Sequence, residues 1–166
     1  MSISYYGHYN IIEYCNRPFR SLKEMEDCLI TLHNDSVNKN DIIIHAGDFC
    51  MKSKTYAENI IKKLKGSHVF LSGSHDYWLG NKNKQQHIWE GKIAKQYIVV
   101  CHYNMRTWAR SHYNSWQLYG HSHGTLKPVG KQWDIGVDNN RFYPVSFEEM
   151  KIIMNKRPDN PNYRKN

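Results

Sequence analysis

A layered α/β fold is predicted by two features of this 166-residue chain. Apolar runs of strand length alternate with amphipathic helical segments in the first half and cluster together in the second, the pattern of helices packed against a sheet. The chemically unusual residues then fall at the carboxyl ends of those strands, where open α/β sheets place their ligand sites. Residues 1–156 read as one domain, and the remainder, "RPDNPNYRKN", as a polar tail over 157–166.

The elements follow in order. "SISYYGHYN" (residues 2–10) reads as a first strand ending at Gly7-His8. In "SLKEMEDCLITLH", Ser21 and Glu24 form a capping-box start, and Leu22, Met25, Leu29 and Leu32 recur at helical spacing. "DIIIHA" is a continuous apolar run suited to a strand buried on both faces. "KTYAENIIKKLKG" repeats the helix pattern, with Gly66 as its stop. "SHVFLS" is the next strand, and the Lys-, Asn- and Gln-rich stretch from Gly80 to about Lys92 reads as a solvated, mobile loop. "QYIVVCH", "WQLYGH" and "QWDIGVD" are three further strands, before Ser146 and Glu149 cap a final helix to about Lys156.

The formal charge of +8 and pI near 9.3 favour anionic partners: nucleic acid, nucleotides or phosphate esters. Charge alone fits equally well a basic protein kept dispersed by its lysines. Cys15, Cys28, Cys50 and Cys101 show no CxxC spacing and read as reduced thiols of a cytoplasmic protein. No apolar run approaches membrane-spanning length, so no membrane partner is expected.

The strand ends carry the chemistry. They supply Asp48 in "AGDF", His75 and Asp76 in "GSHD", His102 in "CHYN", then His121 and His123 in "GHSHG". Small residues beside them let the backbone turn sharply. Imidazole and carboxylate suit Mn, Fe, Ni or Zn, and no thiolate pair competes. On an extended segment, His121 and His123 would point to the same side. His45 and His68 read as structural, and His33, His87 and His112 as surface residues.

This order of motifs resembles the calcineurin-like metallophosphoesterases, which carry D-x-H, G-D, G-N-H-D, H and G-H-x-H in succession. The likeness covers nearly the whole chain and is nearest to short phage and bacterial members, through "GHYNII", "RPF", "HYNMRTW" and "IGVDNNRFYPVSFEEM". It implies a sandwich of two mixed β-sheets flanked by helices. It also implies metal ligation by Asp48, His102, His121 and His123, with His75 as the catalytic acid and Asp76 orienting its ring.

Three positions depart from the pattern. Ile3 and Tyr5 stand where the family has its first Asp and His, and Ser74 where it has Asn. One of the two family metal sites therefore keeps only Asp48 and His123. The other keeps Asp48, His102 and His121, enough for a single ion, since catalytic zinc sites often use three protein ligands. The expectation is one divalent ion (Mn, Ni, Fe or Zn) or none. The expected activity is binding of an anionic phosphate-containing small molecule, such as a nucleotide or nucleotide-derived signal, with little or no two-metal hydrolysis. Tyr5, His8, Ser74 and Arg106 are the expected ligand contacts, with Trp108 as a candidate for the cleft wall. The alternatives are a one-metal phosphodiesterase or nuclease, and a nucleic-acid- or protein-binding module using the basic loop. Arg17, in "RPF", is left without a role.

Overall fold

The structure, a computed structural model, describes residues 1–165, with Lys82 described by its backbone alone. Asn166 of the expected tail and the side chain of Lys82 in the expected loop lie outside the described residues. Within the described residues there are four α-helices and six strands, with helices and strands interleaved early and strands clustered late. They are α1 (Ile11–Tyr14), α2 (Leu22–Ser36), β1 (Ile42–His45), α3 (Lys54–Ile61), β2 (Ser67–Phe70), β3 (Ile88–Ile93), β4 (Gln96–Cys101), β5 (Trp116–Tyr119), β6 (Gln132–Asp134) and α4 (Phe147–Asn155).

The strands make two open sheets. β1 and β2 are parallel, as a pair joined by a crossover helix must be, so only the second sheet is mixed. That sheet runs β3-β4-β5-β6, with an antiparallel β3–β4 hairpin followed by parallel pairings. β4 and β5 are buried along most of their length and deliver Ile98, Val100 and Leu118 to the core, beside Met150 and Met154 of α4.

The expected first strand is replaced by three isolated bridges. Ser2 pairs with His45, Ile3 with Gly136 and Tyr6 with Cys50. Extended backbone is interrupted because Tyr5 (φ 63°) and Gly7 (φ 76°) both adopt left-handed conformations. The segment still stitches the sheets together: Ser2 N–H donates to Ile44 and Val137 N–H donates to Ile3. Ile3 is 1 % exposed and packs on Gly120, where any Cβ would fall 1.6 Å from Ile3 Cδ1. An aliphatic side chain at position 3 thus belongs to the core.

Two further expectations are corrected. The stretch expected to be a mobile loop contains β3, whose alternating exposure suits an edge strand zipped to β4 from Ile88–Cys101 to Ile93–Gln96. His33 is buried, not a surface residue: it continues the Met25, Leu29 row of α2 at i+4 spacing, and its Nε2 bonds the Lys65 carbonyl. The caps fare better. Ser146 and Glu149 form a full capping box, whereas Ser21 accepts from Glu24 N–H but the Glu24 carboxylate turns to Arg20 N–H.

Candidate functional site

The turns after β1, β2, β4 and β5 meet at one end of the sheets around a cavity of about 870 Å³ lined by Tyr5, His8, Cys15, Asp48, His75, His121, His123 and Asp138. An apolar cavity of about 900 Å³ elsewhere, beside Val37, Ile42 and Phe147, contains none of the strand-end histidines. Four residues of the site, Tyr5, Asp48, His121 and His123, have φ between 48° and 63°. Left-handed backbone costs roughly 1 kcal/mol at a non-glycine residue and persists only where its surroundings impose it. Its repetition around one cavity marks the place as built.

Asp48 is the hub. Its carboxylate accepts from His75 N–H (2.8 Å) and from the Ser74 hydroxyl (3.0 Å), and lies 3.1 Å from His102 Nε2. Burial, and after it the Asp48 carboxylate that the Tyr5 hydroxyl reaches, raises the Tyr5 pKa strongly. Burial pushes the Asp48 carboxyl up, but the His102 bond and charge and the His75 N–H outweigh it and hold the pKa at about 2. The approach is tight: a Cβ on Gly73 would sit 2.3 Å from Asp48 Oδ1, and one on Gly47 would sit 2.7 Å from His102 Nδ1.

The protonation pattern can be deduced from the partners. His102 Nδ1 lies 3.0 Å from the Ala46 carbonyl, which can only accept, so Nδ1 carries the proton. Its Nε2 lies 3.2 Å from His121 Nδ1 and 3.1 Å from Asp48 Oδ2: in the imidazolium it donates to Asp48, and in the neutral ring it presents a lone pair. Asp48 Oδ2, His102 Nε2 and His121 Nδ1 thus converge on one point that either a proton or a metal ion can occupy. The ligand atoms of Asp48, His102 and His121 all lie within 4.8 Å of one another. A histidine whose far nitrogen is held by a backbone carbonyl is also the usual arrangement of a metal ligand. The residues therefore fit a single divalent ion.

His123 does not join this group. The segment carrying His121 and His123 is a turn in which both residues are left-handed, and the two side chains take separate partners. His123 Nδ1 donates to Asp138 Oδ2 at 2.8 Å, and its ring centroid lies 4.7 Å from that of Tyr5. Asp138 is clamped in turn by Arg17, Nε to Oδ1 at 2.7 Å and a terminal nitrogen to Oδ2 at 2.8 Å. Burial raises the Asp138 carboxyl, yet the His123 and Arg17 bonds bring it below its ordinary value. Burial, with Asp138 nearby, raises the Cys15 thiol to about 11, so it is no free thiolate near neutral pH.

The remaining expected residues divide as follows. His75 is half-buried and faces the cavity, 6.4 Å from His8 between ring centroids. Asp76 does not orient it: its carboxylate is occupied by five donors, the backbone N–H groups of Asp48, Phe49, Cys50 and Gly73 and the Trp78 indole N–H. His8 lines the cavity, and its Nδ1 accepts from Ile11 N–H at the start of α1. Ser74 is engaged with Asp48, as is the Tyr5 hydroxyl, which leaves the Tyr5 ring as the group available to a ligand. Arg106 is exposed and outside the cavity lining, and Trp108 is buried with its indole N–H on the Ser115 carbonyl. Arg17, Asp138 and Cys15 join the site without having been marked by sequence spacing.

Fold and site together define a mixed α/β protein with two open sheets and an Asp–His cluster at the strand ends. No protein-family profile matches the chain. It is 28 % identical over 165 residues to MJ1445, an uncharacterized protein of Methanocaldococcus jannaschii, covering 94 % of this chain and 90 % of that one. The crystal structure of AQ665, a protein of unknown function from Aquifex aeolicus, superposes with a TM-score of 0.69 at 20 % identity, over 92 % of this chain and 96 % of that one. The second likeness is one of fold. Among the described residues, no helix is long and apolar enough to cross a membrane.

Proposed function

We propose that this chain is a metallophosphoesterase-type protein with a degenerate metal centre. It takes one divalent ion at Asp48, His102 and His121 and binds a phosphate-bearing small molecule, of nucleotide type, in the adjoining cavity. The observation that carries this reading is the convergence of Asp48 Oδ2, His102 Nε2 and His121 Nδ1, with His102 Nδ1–H already committed to Ala46. The sandwich expected of that family is part of the same proposal, and it rests on the motif order.

The ion would supply Lewis-acid polarisation of a phosphoryl oxygen, chemistry for which one centre suffices in part but two serve better. The chain's own groups do the rest. His8 and His75 face the cavity and offer imidazole N–H donors to phosphate oxygens. Burial, with His75 nearby, lowers the His8 pKa, so near neutral pH the histidine donates as a neutral ring rather than as a cation. The Tyr5 ring, packed against His123, gives a flat face on which a base can stack. Ile3 in the core and the Tyr5 hydroxyl on Asp48 remove the ligands a bridged pair of ions would need.

A one-metal phosphodiesterase is the second reading. It is favoured by the half-buried His75 ring, which faces the cavity from a backbone position held by Asp48 and is placed to donate a proton to a leaving oxygen.

The test is metal content by elemental analysis after Mn²⁺ loading and gel filtration, followed by calorimetric titration with inorganic phosphate and adenosine 5′-monophosphate. One Mn²⁺ per chain, lost in Asp48→Ala, with saturable binding of the nucleotide, is expected. No bound Mn²⁺ and no binding of either probe would end the proposal. Metal-dependent hydrolysis of a chromogenic phosphodiester would move the reading to the second form.

A further inference from the structure

We propose that His123 reads a sugar hydroxyl: its Nε2 accepts a hydrogen bond from a ribose O–H and so selects ribonucleotides over ligands with the same base and phosphate but no such hydroxyl. The inference rests on the nucleotide reading above and names the part of the nucleotide that the site recognises besides base and phosphate. His123 lines the cavity, and 21 % of its side chain is exposed.

Two histidines of the cavity have opposite polarity, and their partners set it. His8 Nδ1 accepts from Ile11 N–H, so the neutral ring carries its proton on Nε2 and offers a donor. His123 Nδ1 donates to Asp138 Oδ2, so the neutral ring offers a lone pair on Nε2. Asp138 is not free to turn from this bond, because the fully buried Arg17 guanidinium grips both of its oxygens. The tautomer of His123 is therefore built in. An ionised phosphate oxygen has no proton to give, so it satisfies His8 and leaves His123 unsatisfied. A hydroxyl satisfies His123.

Neighbouring hydroxyls do not take this lone pair. Ser122 and Thr125 also line the cavity, but Ser122 gives its proton to Asp134 Oδ2 and Thr125 gives its own to the Ser122 carbonyl. The acceptor is left to the ligand. The spacing of the rings then suits a nucleotide. Tyr5, the face proposed for the base, has the His123 ring 4.7 Å away and the His8 ring 6.1 Å away between centroids. A ligand stacked on Tyr5 has a fixed acceptor for its sugar and a fixed donor for its phosphate close at hand. Phosphate alone would use only the donor.

The experiment is calorimetric titration, in Mn²⁺-containing buffer, with adenosine 5′-monophosphate and with its 2′,3′-dideoxy analogue. The wild type is expected to bind the ribonucleotide about 5–50-fold more tightly, the effect of one hydrogen bond to an acceptor otherwise left without a partner. His123→Ala should bind both alike, at the level of the dideoxy analogue. His123→Gln, which returns an amide oxygen near the place of Nε2, should keep part of the preference. Equal binding of the two probes by the wild type, which requires no variant to fold, overturns this inference and leaves the nucleotide reading standing. A preference undiminished in His123→Ala overturns it as well, since the hydroxyl is then read elsewhere. Binding of neither probe removes the nucleotide reading and this inference together.

Discussion

Asp76 was expected to serve His75, and the structure gives it a different task, so Asp76→Asn distinguishes the two. Asp76 is 3 % exposed, and each of its oxygens is used: Oδ1 takes Phe49 N–H, Cys50 N–H and the Trp78 indole, and Oδ2 takes Asp48 N–H and Gly73 N–H. Asparagine keeps one acceptor. Placed on the three-donor side, it confronts the Asp48 and Gly73 N–H groups with an amide NH₂ that cannot accept from them. Two stranded buried N–H groups at about 1–3 kcal/mol each give roughly 2–6 kcal/mol, before the loss of charge assistance on the other three bonds. That is a large share of the roughly 5–15 kcal/mol that holds a typical domain. The assay is urea denaturation at neutral pH, reading the midpoint at constant slope. His75→Ala, at a half-buried ring with no such network, should cost less than about 1 kcal/mol in the same assay. An Asp76→Asn protein within about 1 kcal/mol of wild type, yet unable to bind or turn over substrate, would refute this reasoning and return Asp76 to the role of partner to His75.

Other outcomes follow from other parts of the molecule. His33, His45 and His68 form a row of tilted rings, with His45 Nε2 3.0 Å from His68 Nδ1, and burial lowers all three pKa values, that of His45 furthest. Because the folded values lie below the ordinary 6.5, the unfolded chain binds more protons under that pH. Their contribution to stability should be complete above about pH 6.5 and fall as the solution is acidified below it, and His45→Phe should flatten that fall in urea titrations at about pH 5 and 7.5. Arg17→Met leaves the Asp138 charge buried beside only His123 and should cost about 3–5 kcal/mol; Arg17→Met with Asp138→Leu should recover a good part, and a double-mutant cycle showing no coupling would contradict the clamp. Gly120→Ala drives a methyl into Ile3 and should cost about 1–3 kcal/mol, with Ile3→Val, which lacks the clashing Cδ1, restoring part of it. If Gly120→Ala costs the same with and without the Ile3→Val change, the contact is not the cause.

What the sequence made legible had local causes. β1 is an apolar run, buried as expected at all but Ile42, β4 and β5 are strands where expected, and Ser146 with Glu149 is a cap written in four residues. β3 was missed because "IWEGKI" holds a charge, a glycine and a lysine, and what makes it a strand is its pairing to β4 rather than its own composition. In the site, the strand-end acids and histidines could be read from motif order, and Asp48, His102 and His121 do come together. The parting of His121 from His123 could not, since it depends on left-handed backbone at residues that rarely signal it. Nor could Arg17 and Asp138, which meet across 121 positions of sequence and carry no spacing that points to each other. Ile3 shows the reverse: the motif order marked it only as a departure from a pattern, and Gly120 shows the packing that the residue serves.

The short stitched segment at residues 2–6 occupies two flanks at once, one beside His45 of β1 and the other beside Gly136 just past β6. Open sheets are hazardous where strand edges lie bare, because unpaired N–H and C=O groups recruit other chains. Here one brief piece of backbone shields two such edges from opposite directions. A lesion that frees it, whether proteolytic or a proline at Ile3, would expose both edges together, and the first symptom would be self-association through strand addition rather than simple loss of helix or of ligand binding.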